Sequence, residues 1–281
     1  MTVLQQLQAH FQMGQGQQAG GVTQPLAVQE APAAIVGYFA GLELHSHYQP
    51  LFHAHTLQTF AHEALLRPRW PGHTAFQTPN VAFDSAHTAQ AAIYLDRLCR
   101  VVHAMNFVRQ APGQHHLFLN VSAQHLRSVA HNHGETFESL LALCGLQPQQ
   151  VVLEILEAGV DDLALLQTAV QGWRQRGFRI AMDDFGCQHS NFDRLWQLTP
   201  DIVKLDRQLV HQAAHNRRAA IILPKLIEMI HELGASVVCE GIETEVQHRI
   251  CVDAGSDLLQ GYFYARPSAQ LLMSQALRVQ A

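Results

Sequence analysis

Six side chains with oxygen atoms suited to metal binding follow short apolar runs in this chain of 281 residues. They comprise five carboxylates and one amide: Glu63, Asn120, Glu154, Asp183, Asp184 and Glu240. Carboxylates brought together by a fold repel one another and raise one another's pKa values unless cations offset the charge. Ligation by oxygen alone suits a hard ion such as Mg²⁺ or Mn²⁺ better than zinc. The sequence therefore predicts a site for divalent cations.

The adjacent pair Asp183-Asp184 indicates two ions, because neighbouring carboxylates can serve both, one of them as a bridge. Two ions about 4 Å apart would clamp the attacking and leaving oxygens of a phosphodiester. Lys204 is one of two lysines in the chain and ends an apolar run. Its ammonium group could orient or activate a water molecule, or it could form a buried ion pair with a neighbouring acid. The residues alone leave both interpretations open.

Each acid taken singly has another interpretation, since an Asp or Glu at a strand end is usually the N-cap of the next helix. Asp183-Asp184 could be such a cap and nothing more. Six positions at successive strand ends favour one shared site over independent caps.

The elements that must position these side chains are short apolar runs separated by amphipathic stretches. The runs lie at 117–120, 151–154, 179–184, 202–204, 237–240 and 258–260. Stretches such as 163–176 and 218–233 have helical spacing and are followed by Gly177 and Gly234, where a helix typically ends. Strands alternating with helices at this spacing predict βα units and a parallel sheet buried on both faces.

Two α/β architectures fit this alternation. A (β/α)8 barrel of the TIM type collects its site around the rim at the carboxyl ends of its strands. A doubly wound open sheet collects its site at one crevice. Because the polar residues follow one strand after another, we predict the barrel.

Composition and charge narrow the class of protein. Apolar residues make up 48% of the chain, enough for a large core, and the net charge of −5 argues against a nucleic-acid polymer as partner. The five cysteines are odd in number and contain no C-x-x-C pair, as is typical of a reducing compartment. The first Lys or Arg is Arg67, and no apolar run approaches the roughly 18 residues of a membrane span. We therefore expect a soluble, cytoplasmic protein without a membrane span.

The 19 histidines raise the alternative of a transition-metal protein. Close pairs occur at His45/His47, His53/His55, His115/His116 and His131/His133. None has a further ligand group at a recognisable zinc-site spacing, so we give this interpretation little weight.

The sequence divides into residues 1–40 and a barrel at 41–281. Val3, Leu4, Leu7 and Phe11 have helical spacing, and a Gln/Gly-rich stretch at 13–21 follows them. We predict a short helix and a flexible linker, and we favour a tail over a dimerisation or regulatory helix.

Short motifs over residues 42–267 resemble those of the EAL domain family. Tyr48-Gln-Pro-Leu is similar to its opening strand. Seven further motifs follow in the family's order: Glu63-Ala-Leu-Leu-Arg67, Asn120-Val-Ser, Glu154-Ile-Leu-Glu157, Asp183-Asp-Phe-Gly186, Val203-Lys-Leu-Asp206, Glu240-Gly-Ile-Glu243 and Gln260-Gly-Tyr262. One such match would be weak, but seven in register are specific.

The resemblance implies a TIM-like barrel with one antiparallel strand that linearises the bacterial second messenger cyclic di-GMP to pGpG. It implies that Glu63, Asn120, Glu154 and Asp183 hold one ion, and that Asp183 and Asp184 hold a second, supported by Glu240. Lys204 would position the attacking water, so that Lys204, Glu63 and Glu240 would carry the catalysis. Gln49, Arg67 and Gln260 would contact the ligand, with Gln260 at the rim. Glu157 would brace the loop after Asp184. A homodimer is the family expectation.

The sequence also departs from the family in two places. After Asp183-Asp-Phe-Gly186 the family commonly has Thr-Gly-Tyr-Ser-Ser, whereas residues 187–191 are Cys-Gln-His-Ser-Asn, with Gln188 replacing a permissive glycine. Residues 71–90 lack the usual Ser-Pro-x-x-Phe-Ile stretch. The first loop links metal binding to dimerisation in the family. A cyclic di-GMP receptor that does not cut its ligand therefore stays the main alternative, although no metal ligand is lost.

Overall fold

A computed structural model describes residues 2–15, 28–30, 34–110, 115–121, 135–156, 162–186 and 192–273. The strands in these ranges are β1 (Val28–Glu30), β2 (Ile35–Phe39), β3 (Leu42–His53), β4 (Thr59–Arg69), β5 (His116–Val121), β6 (Val151–Leu156), β7 (Arg179–Phe185), β8 (Ile202–Leu205), β9 (Ser236–Cys239) and β10 (Leu258–Leu259). The helices are α1 (Val3–Gln15), α2 (Pro79–Asp84), α3 (Ala89–Gln110), α4 (Glu135–Cys144), α5 (Leu163–Gln175), α6 (Phe192–Leu198), α7 (Arg207–His215), α8 (Arg217–Glu232) and α9 (Glu245–Asp253).

Strands β3 to β10 close into an eight-stranded barrel. Their order around it is β3-β10-β9-β8-β7-β6-β5-β4, and the pairing of β3 with β4 completes the circle. Strands β4 to β10 run parallel to one another, whereas β3 is antiparallel to both β4 and β10. This confirms the predicted barrel with one antiparallel strand.

Helices pack around the strands and bury the main hydrophobic core between the two layers. Trp173 of α5 and Phe107 of α3 are among its fully buried side chains. Asp162 caps α5 by accepting a hydrogen bond from the Leu165 backbone N–H. The expected helix ends are also present, since Gly177 and Gly234 take left-handed φ angles of 93° and 84° after α5 and α8. None of the helices in the described ranges has the length and apolar character that a membrane span requires.

The N-terminal residues pack against the barrel. Leu7 and Phe11 of α1 are buried, and the Phe11 ring meets Tyr94 of α3 edge to face at 5.4 Å. Strand β2 pairs with the start of β3, and β1 pairs with β2. The structure thus differs from the tail favoured above, because the apolar face of α1 finds partners on α3. The division at residue 40 stays a prediction, and most of the Gln/Gly-rich stretch lies outside the described residues.

Candidate active site

The barrel interior holds two layers of side chains with opposite character. The first layer is apolar and takes one residue from each strand: Leu51, Ala61, Phe118, Val152, Ala181, Ile202, Val238 and Leu258. Side chains two residues apart on a strand point to the same face. The second layer therefore lies two residues nearer the carboxyl ends of β4 to β10, and two residues earlier on the antiparallel β3. It comprises Gln49, Glu63, Asn120, Glu154, Asp183, Lys204, Glu240 and Gln260.

All eight residues of this polar layer were singled out from the sequence. Glu63, Asp183, Lys204, Glu240, Gln49 and Gln260 line one cavity of about 280 Å³ at the carboxyl ends of the strands. Glu154 is fully buried beneath it, and Asn120 stands exposed beside it. The structure therefore brings the predicted ligand set together at one rim. The role of each residue stays a prediction.

Lys204 lies at the centre of the layer and is 1% exposed. Its Nζ is 2.6 Å from Glu240 Oε1, 3.0 Å from Asp183 Oδ1 and 3.3 Å from Glu63 Oε2, and it also pairs with Glu154. Burial by itself would lower the pKa of Lys204, but these four carboxylates raise it well above its ordinary value. Lys204 is therefore a charged ammonium group. The buried ion pair that the sequence left open as an alternative is present, and it involves four acids instead of one.

One ammonium group leaves the layer with excess negative charge. Burial, followed by repulsion from Glu63 and Asp183, raises the pKa of Glu154 well above its ordinary value despite the attraction of Lys204. Burial raises the pKa of Glu240 to about 8, with Lys204 opposing and Asp183 and Glu63 reinforcing the rise. These shifts are the mutual effect expected of crowded carboxylates, and they show a cluster that added positive charge would stabilise.

A β-bulge places both aspartates at the rim. The β7–β8 register shifts between Met182 and Phe185, so that two residues of β7 face one residue of β8. Asp184 takes a left-handed φ of 56°, which is uncommon for residues other than glycine but better tolerated by Asp. Consecutive strand residues normally point to opposite faces, yet one carboxylate oxygen each of Asp183, Asp184 and Glu240 lie within 4.8 Å of one another. Burial and then Asp183 raise the pKa of Asp184 to about 6.

The donor atoms fit divalent cations. Both carboxylate oxygens of Glu154 are buried and lack a hydrogen-bond partner with good geometry among the described residues, although one pairs with Lys204. Buried acceptor oxygens of this kind are costly unless they meet a proton or a cation. With the compact trio of Asp183, Asp184 and Glu240, they form an all-oxygen set of the type that Mg²⁺ and Mn²⁺ prefer.

The three residues expected to contact a ligand differ in position. Gln260 Nε2 donates to Glu63 Oε2 at 2.8 Å, so Gln260 holds a proposed metal ligand in place. Gln49 faces Glu63 across the β3–β4 pair and lines the cavity. Arg67 is half-buried, and its Nη1 donates to the Leu66 carbonyl at 3.0 Å. Arg67 is not among the described residues that line the cavity, but it lies near enough to Tyr262 and Glu63 for both to oppose the lowering of its pKa by burial.

Two sequence expectations fall outside the described residues. Glu157, expected to brace the loop after Asp184, is one of them. The atypical segment 187–191 is the other.

The structure adds cavity residues that sequence reasoning did not select. Arg207, Glu243 and Tyr262 line the same cavity. Arg207 directly follows one of the quoted motifs, and Glu243 and Tyr262 end two others, but none of the three stands at a strand end, which was the signal used. The Tyr262 ring is 48% exposed and carries the Arg266 guanidinium 4.3 Å from its centre.

Close backbone packing fixes the loops after β9 and β10. A Cβ atom at Gly261 would lie 2.0 Å from the Ile242 carbonyl oxygen, so only glycine allows the two loops to cross there. The Ile242 N–H donates to the Gln260 carbonyl at 3.1 Å, and the Phe263 N–H donates to the Ile242 carbonyl at 2.9 Å. This crossing holds Glu240 and Gln260 in register.

Comparison with known proteins agrees with this geometry. The family model described as EAL domain matches residues 32–267. Over 135 residues the chain is 33% identical to the cyclic di-GMP phosphodiesterase RocR of Pseudomonas aeruginosa, a match that covers 47% of this chain and 34% of RocR. Five of the curated relatives that the chain matches are much longer, and it covers between 17% and 42% of their lengths.

Solved structures show the same fold. The phosphodiesterase MucR of Pseudomonas aeruginosa in complex with c-di-GMP aligns with a TM-score of 0.70 and 26% identity, covering 80% of this chain and 92% of that chain. A manganese and c-di-GMP complex of Klebsiella pneumoniae BlrP1 aligns with a TM-score of 0.71 and 24% identity, covering 94% and 66%. The family model matches most of the chain, and the polar layer lies at the rim of the barrel. This chain therefore belongs to the EAL domain family.

Proposed function

We propose that this chain hydrolyses cyclic di-GMP to linear pGpG with the help of two divalent cations, Mg²⁺ or Mn²⁺, and so lowers the level of a bacterial second messenger in the cytoplasm. The observation that carries the proposal is the polar layer around Lys204, to which each of the eight barrel strands contributes one polar side chain. The names of the relatives, which include cyclic di-GMP phosphodiesterases, support the same substrate and reaction.

The cations would be held by the oxygen atoms of the layer. Glu63, Asn120, Glu154 and Asp183 are the proposed ligands of one ion, and Asp183 and Asp184, with support from Glu240, are those of the other. Divalent ions bound there would neutralise charge on the phosphodiester and make water more acidic.

Positioning of the attacking water and of the dinucleotide would depend on side chains of this chain. Lys204 would hold the attacking water oxygen in line with the phosphorus, because its ammonium hydrogens already point into the cluster of oxygen atoms at the cavity floor. The water oxygen would form the new bond to phosphorus while the phosphorus–oxygen bond to the ribose breaks, which opens the ring. The water would give up a proton, and the leaving ribose oxygen would take one up to become a hydroxyl group. Gln260 would keep Glu63 in its binding position through the 2.8 Å hydrogen bond. Gln49 and Arg67 would orient the dinucleotide.

Two further parts of the proposal come from the family resemblance. Glu157 would brace the loop that follows Asp184. The chain would act as a homodimer. A receptor that binds cyclic di-GMP without cutting it is the competing function, and the atypical segment 187–191 is the feature that favours it.

The test is chromatography of purified protein incubated with cyclic di-GMP and Mg²⁺ or Mn²⁺, with EDTA as the metal-free control. We expect conversion to pGpG that stops with EDTA. Glu63→Gln should abolish conversion, because it removes one charged ligand at nearly constant volume. The matched control is Glu228→Gln on the exposed face of α8, which should leave conversion unchanged. Intact cyclic di-GMP with both metals, in folded protein that still binds it, would establish the receptor instead.

A further inference from the structure

The proposed hydrolysis uses none of the 19 histidines, yet two of them lie together on helix α7. His211 and His215 are four positions apart, so they lie one turn from each other on the same face of the helix. Both side chains are exposed. The centres of the two rings are 4.4 Å apart, and the ring planes differ by 26°. This pair was not among the close histidine pairs considered from the sequence.

A hydrogen bond of His215 determines which of its ring nitrogens is available to a ligand. Its Nδ1 lies 2.8 Å from the His211 carbonyl oxygen. A carbonyl oxygen only accepts hydrogen bonds, so Nδ1 carries the proton and Nε2 of the neutral ring carries the lone pair. Histidines that bind metal ions almost always donate from their other ring nitrogen to a carbonyl or carboxylate oxygen in this way. The contact of His215 is therefore typical of a metal ligand.

The separation of the rings fits a single ion bound by both. Two imidazoles that bind one ion at a right angle, through bonds of about 2.0–2.1 Å, have ring centres about 4.5 Å apart, and a tetrahedral angle increases this to about 5.2 Å. The observed separation agrees with the right angle, which Cu²⁺ and Ni²⁺ prefer. The backbone can stay in place. The nearly parallel rings converge once the exposed His211 ring turns about its Cβ–Cγ bond, a torsion with broad energy wells in histidine.

The charges around the pair permit a cation. His215 is in the last turn of α7, where the carbonyl end of the helix dipole favours positive charge. Arg207 lies one turn before His211, and Glu243, of opposite charge, lines the same surface depression as these two residues. Neither histidine is among the described residues that line the catalytic cavity. The pair is therefore separate from the carboxylates of the polar layer.

From these contacts we propose that His211 and His215 form a second metal site, which binds a divalent transition ion such as Ni²⁺ or Cu²⁺ through two imidazole nitrogens. Water completes the coordination. Imidazole nitrogens select such ions over Mg²⁺, which suits the carboxylates of the polar layer. The second imidazole strengthens binding because it is held on the same helix at a high effective concentration. The site does not rest on hydrolysis, because its occupancy can be measured without cyclic di-GMP.

The experiment measures Ni²⁺ binding to the whole chain, without an added histidine tag, by titration calorimetry. Excess Mg²⁺ is present to occupy the carboxylates of the polar layer. We expect His211→Gln and His215→Gln each to weaken one Ni²⁺ site at least tenfold, because each variant leaves a single imidazole. Paramagnetic Ni²⁺ should broaden the ring-proton NMR signals of these two histidines before those of the others. Both exchanges are at exposed positions, and urea unfolding verifies that the variants are folded.

Two controls separate the spacing of the histidines from their number. Gln208→His, added to His211→Gln, restores two histidines on α7 but places them nearly two turns apart, about 10 Å along the helix. One ion cannot bind both at that distance, so the site should stay weak. His73→Gln removes an exposed histidine elsewhere on the surface and should leave Ni²⁺ binding unchanged.

Several results would overturn the proposal. Equal affinity in the wild type and in both single variants would show that the pair binds no ion. Weakening in only one of the two variants would mean that the ion uses one imidazole and a different second ligand. Full binding in the double variant with Gln208→His would show that the number of histidines matters and their spacing does not. Loss of the site in Asp183→Asn would assign the ion to the polar layer. None of these results bears on whether the chain cuts cyclic di-GMP.

Discussion

Two layers of side chains lie one above the other inside the same barrel, and they differ in the type of residue that each contains. The lower layer buries eight apolar residues, one from each strand, and packs as an ordinary core. The upper layer lies two residues further along β4 to β10 and two residues earlier on β3. It gathers four carboxylates, three side-chain amides, one of them the exposed Asn120, and one lysine. The backbone delivers one side chain per strand to both levels. The lower layer stabilises the fold. The upper layer holds carboxylates that repel one another, and this repulsion would favour the binding of cations.

The largest effect should come from the upper layer, through Lys204→Met. This exchange removes the one cation among the four carboxylates that surround Lys204 Nζ. Breaking a buried ion pair on one side costs about 3–5 kcal/mol, and loss of a positioned donor costs on the order of 10²–10³ in rate. We expect both losses, measured by urea unfolding and by the conversion of cyclic di-GMP.

The matched control is the other lysine of the chain, in the variant Lys225→Met on the exposed face of α8. It should change neither quantity. Divalent ions or lower pH should restore part of the stability of Lys204→Met, because both reduce the repulsion between the carboxylates. Full stability in EDTA at pH 8 would contradict the central position given to Lys204.

The second prediction compares two residues of β5 that lie in different layers. Phe118→Ala empties space in the lower layer and should lower the free energy of unfolding by about 3–5 kcal/mol. Asn120→Ala removes an exposed side chain, so the free energy of unfolding should stay nearly constant. Its amide lies 3.5 Å from Glu63 and is a proposed metal ligand, so Mn²⁺ affinity should fall. Denaturant melts and Mn²⁺ titration of both variants provide the check. The contrast between the layers fails if Phe118→Ala weakens metal binding as strongly as Asn120→Ala does.

Much of this contrast was accessible from the sequence, and the reason is the period of two along a strand. An apolar run that ends in a polar residue predicts where the strand lies. It also predicts the face of the strand to which the polar side chain points. Gln49 was found only through family resemblance, because its strand runs in the opposite direction. The carboxylate of Asp184 joins the cluster through a bulge and a left-handed backbone, which no periodicity predicts.

Tertiary packing explains the remaining differences. Leu7 and Phe11 had visible helical spacing, but Tyr94 of α3, which meets the Phe11 ring, is more than 80 positions away in the chain. Arg100 occurs in a helix where arginine normally indicates a solvated face, and only the fold shows that it is buried. Arg207 reaches the cavity from the first turn of α7, and Tyr262 reaches it from the loop after β10, which is fixed by the crossing at Gly261.

The third prediction concerns how pH acts on the upper layer of the metal-free protein. The pKa values of Asp184 and Glu240, about 6 and about 8, exceed their ordinary values of 3.8 and 4.5. Between about pH 4 and pH 8 the folded protein therefore holds protons on these two carboxyl groups that the unfolded chain has released, and their contribution to the free energy of unfolding falls as pH rises. Buried His62 and His103, whose pKa values are lowered to about 4 and about 3 from 6.5, act in the opposite direction below pH 6.5, so the effect of the layer is measured above that pH. Urea midpoints in EDTA should therefore fall from pH 6.5 to pH 8.

Mn²⁺ should flatten this dependence, because bound cations replace the protons on the carboxylates. Glu240→Gln should remove most of the slope between pH 6 and pH 8, whereas Glu228→Gln on exposed α8 should leave it intact. A midpoint in EDTA that rises from pH 6.5 to pH 8 would mean that the layer does not carry the excess charge assigned to it.

The smallest effect should follow from Gln260→Ala, which affects the upper layer indirectly, through Glu63. Gln260 Nε2 holds Glu63 Oε2 at 2.8 Å, and one hydrogen bond to a charged group is worth about 1.5–3 kcal/mol, so kcat should fall by about tenfold or somewhat more. Steady-state kinetics separate this positioning role from the ligand contact expected of Gln260 from the sequence. Positioning lowers kcat and weakens Mn²⁺ binding, whereas a direct contact with cyclic di-GMP raises KM and leaves Mn²⁺ affinity unchanged. Gln270→Ala, at an exposed residue beyond the barrel, is the control that should alter neither. A raised KM at constant kcat would therefore place Gln260 against the substrate and leave Glu63 to be held by Lys204 and Asn120.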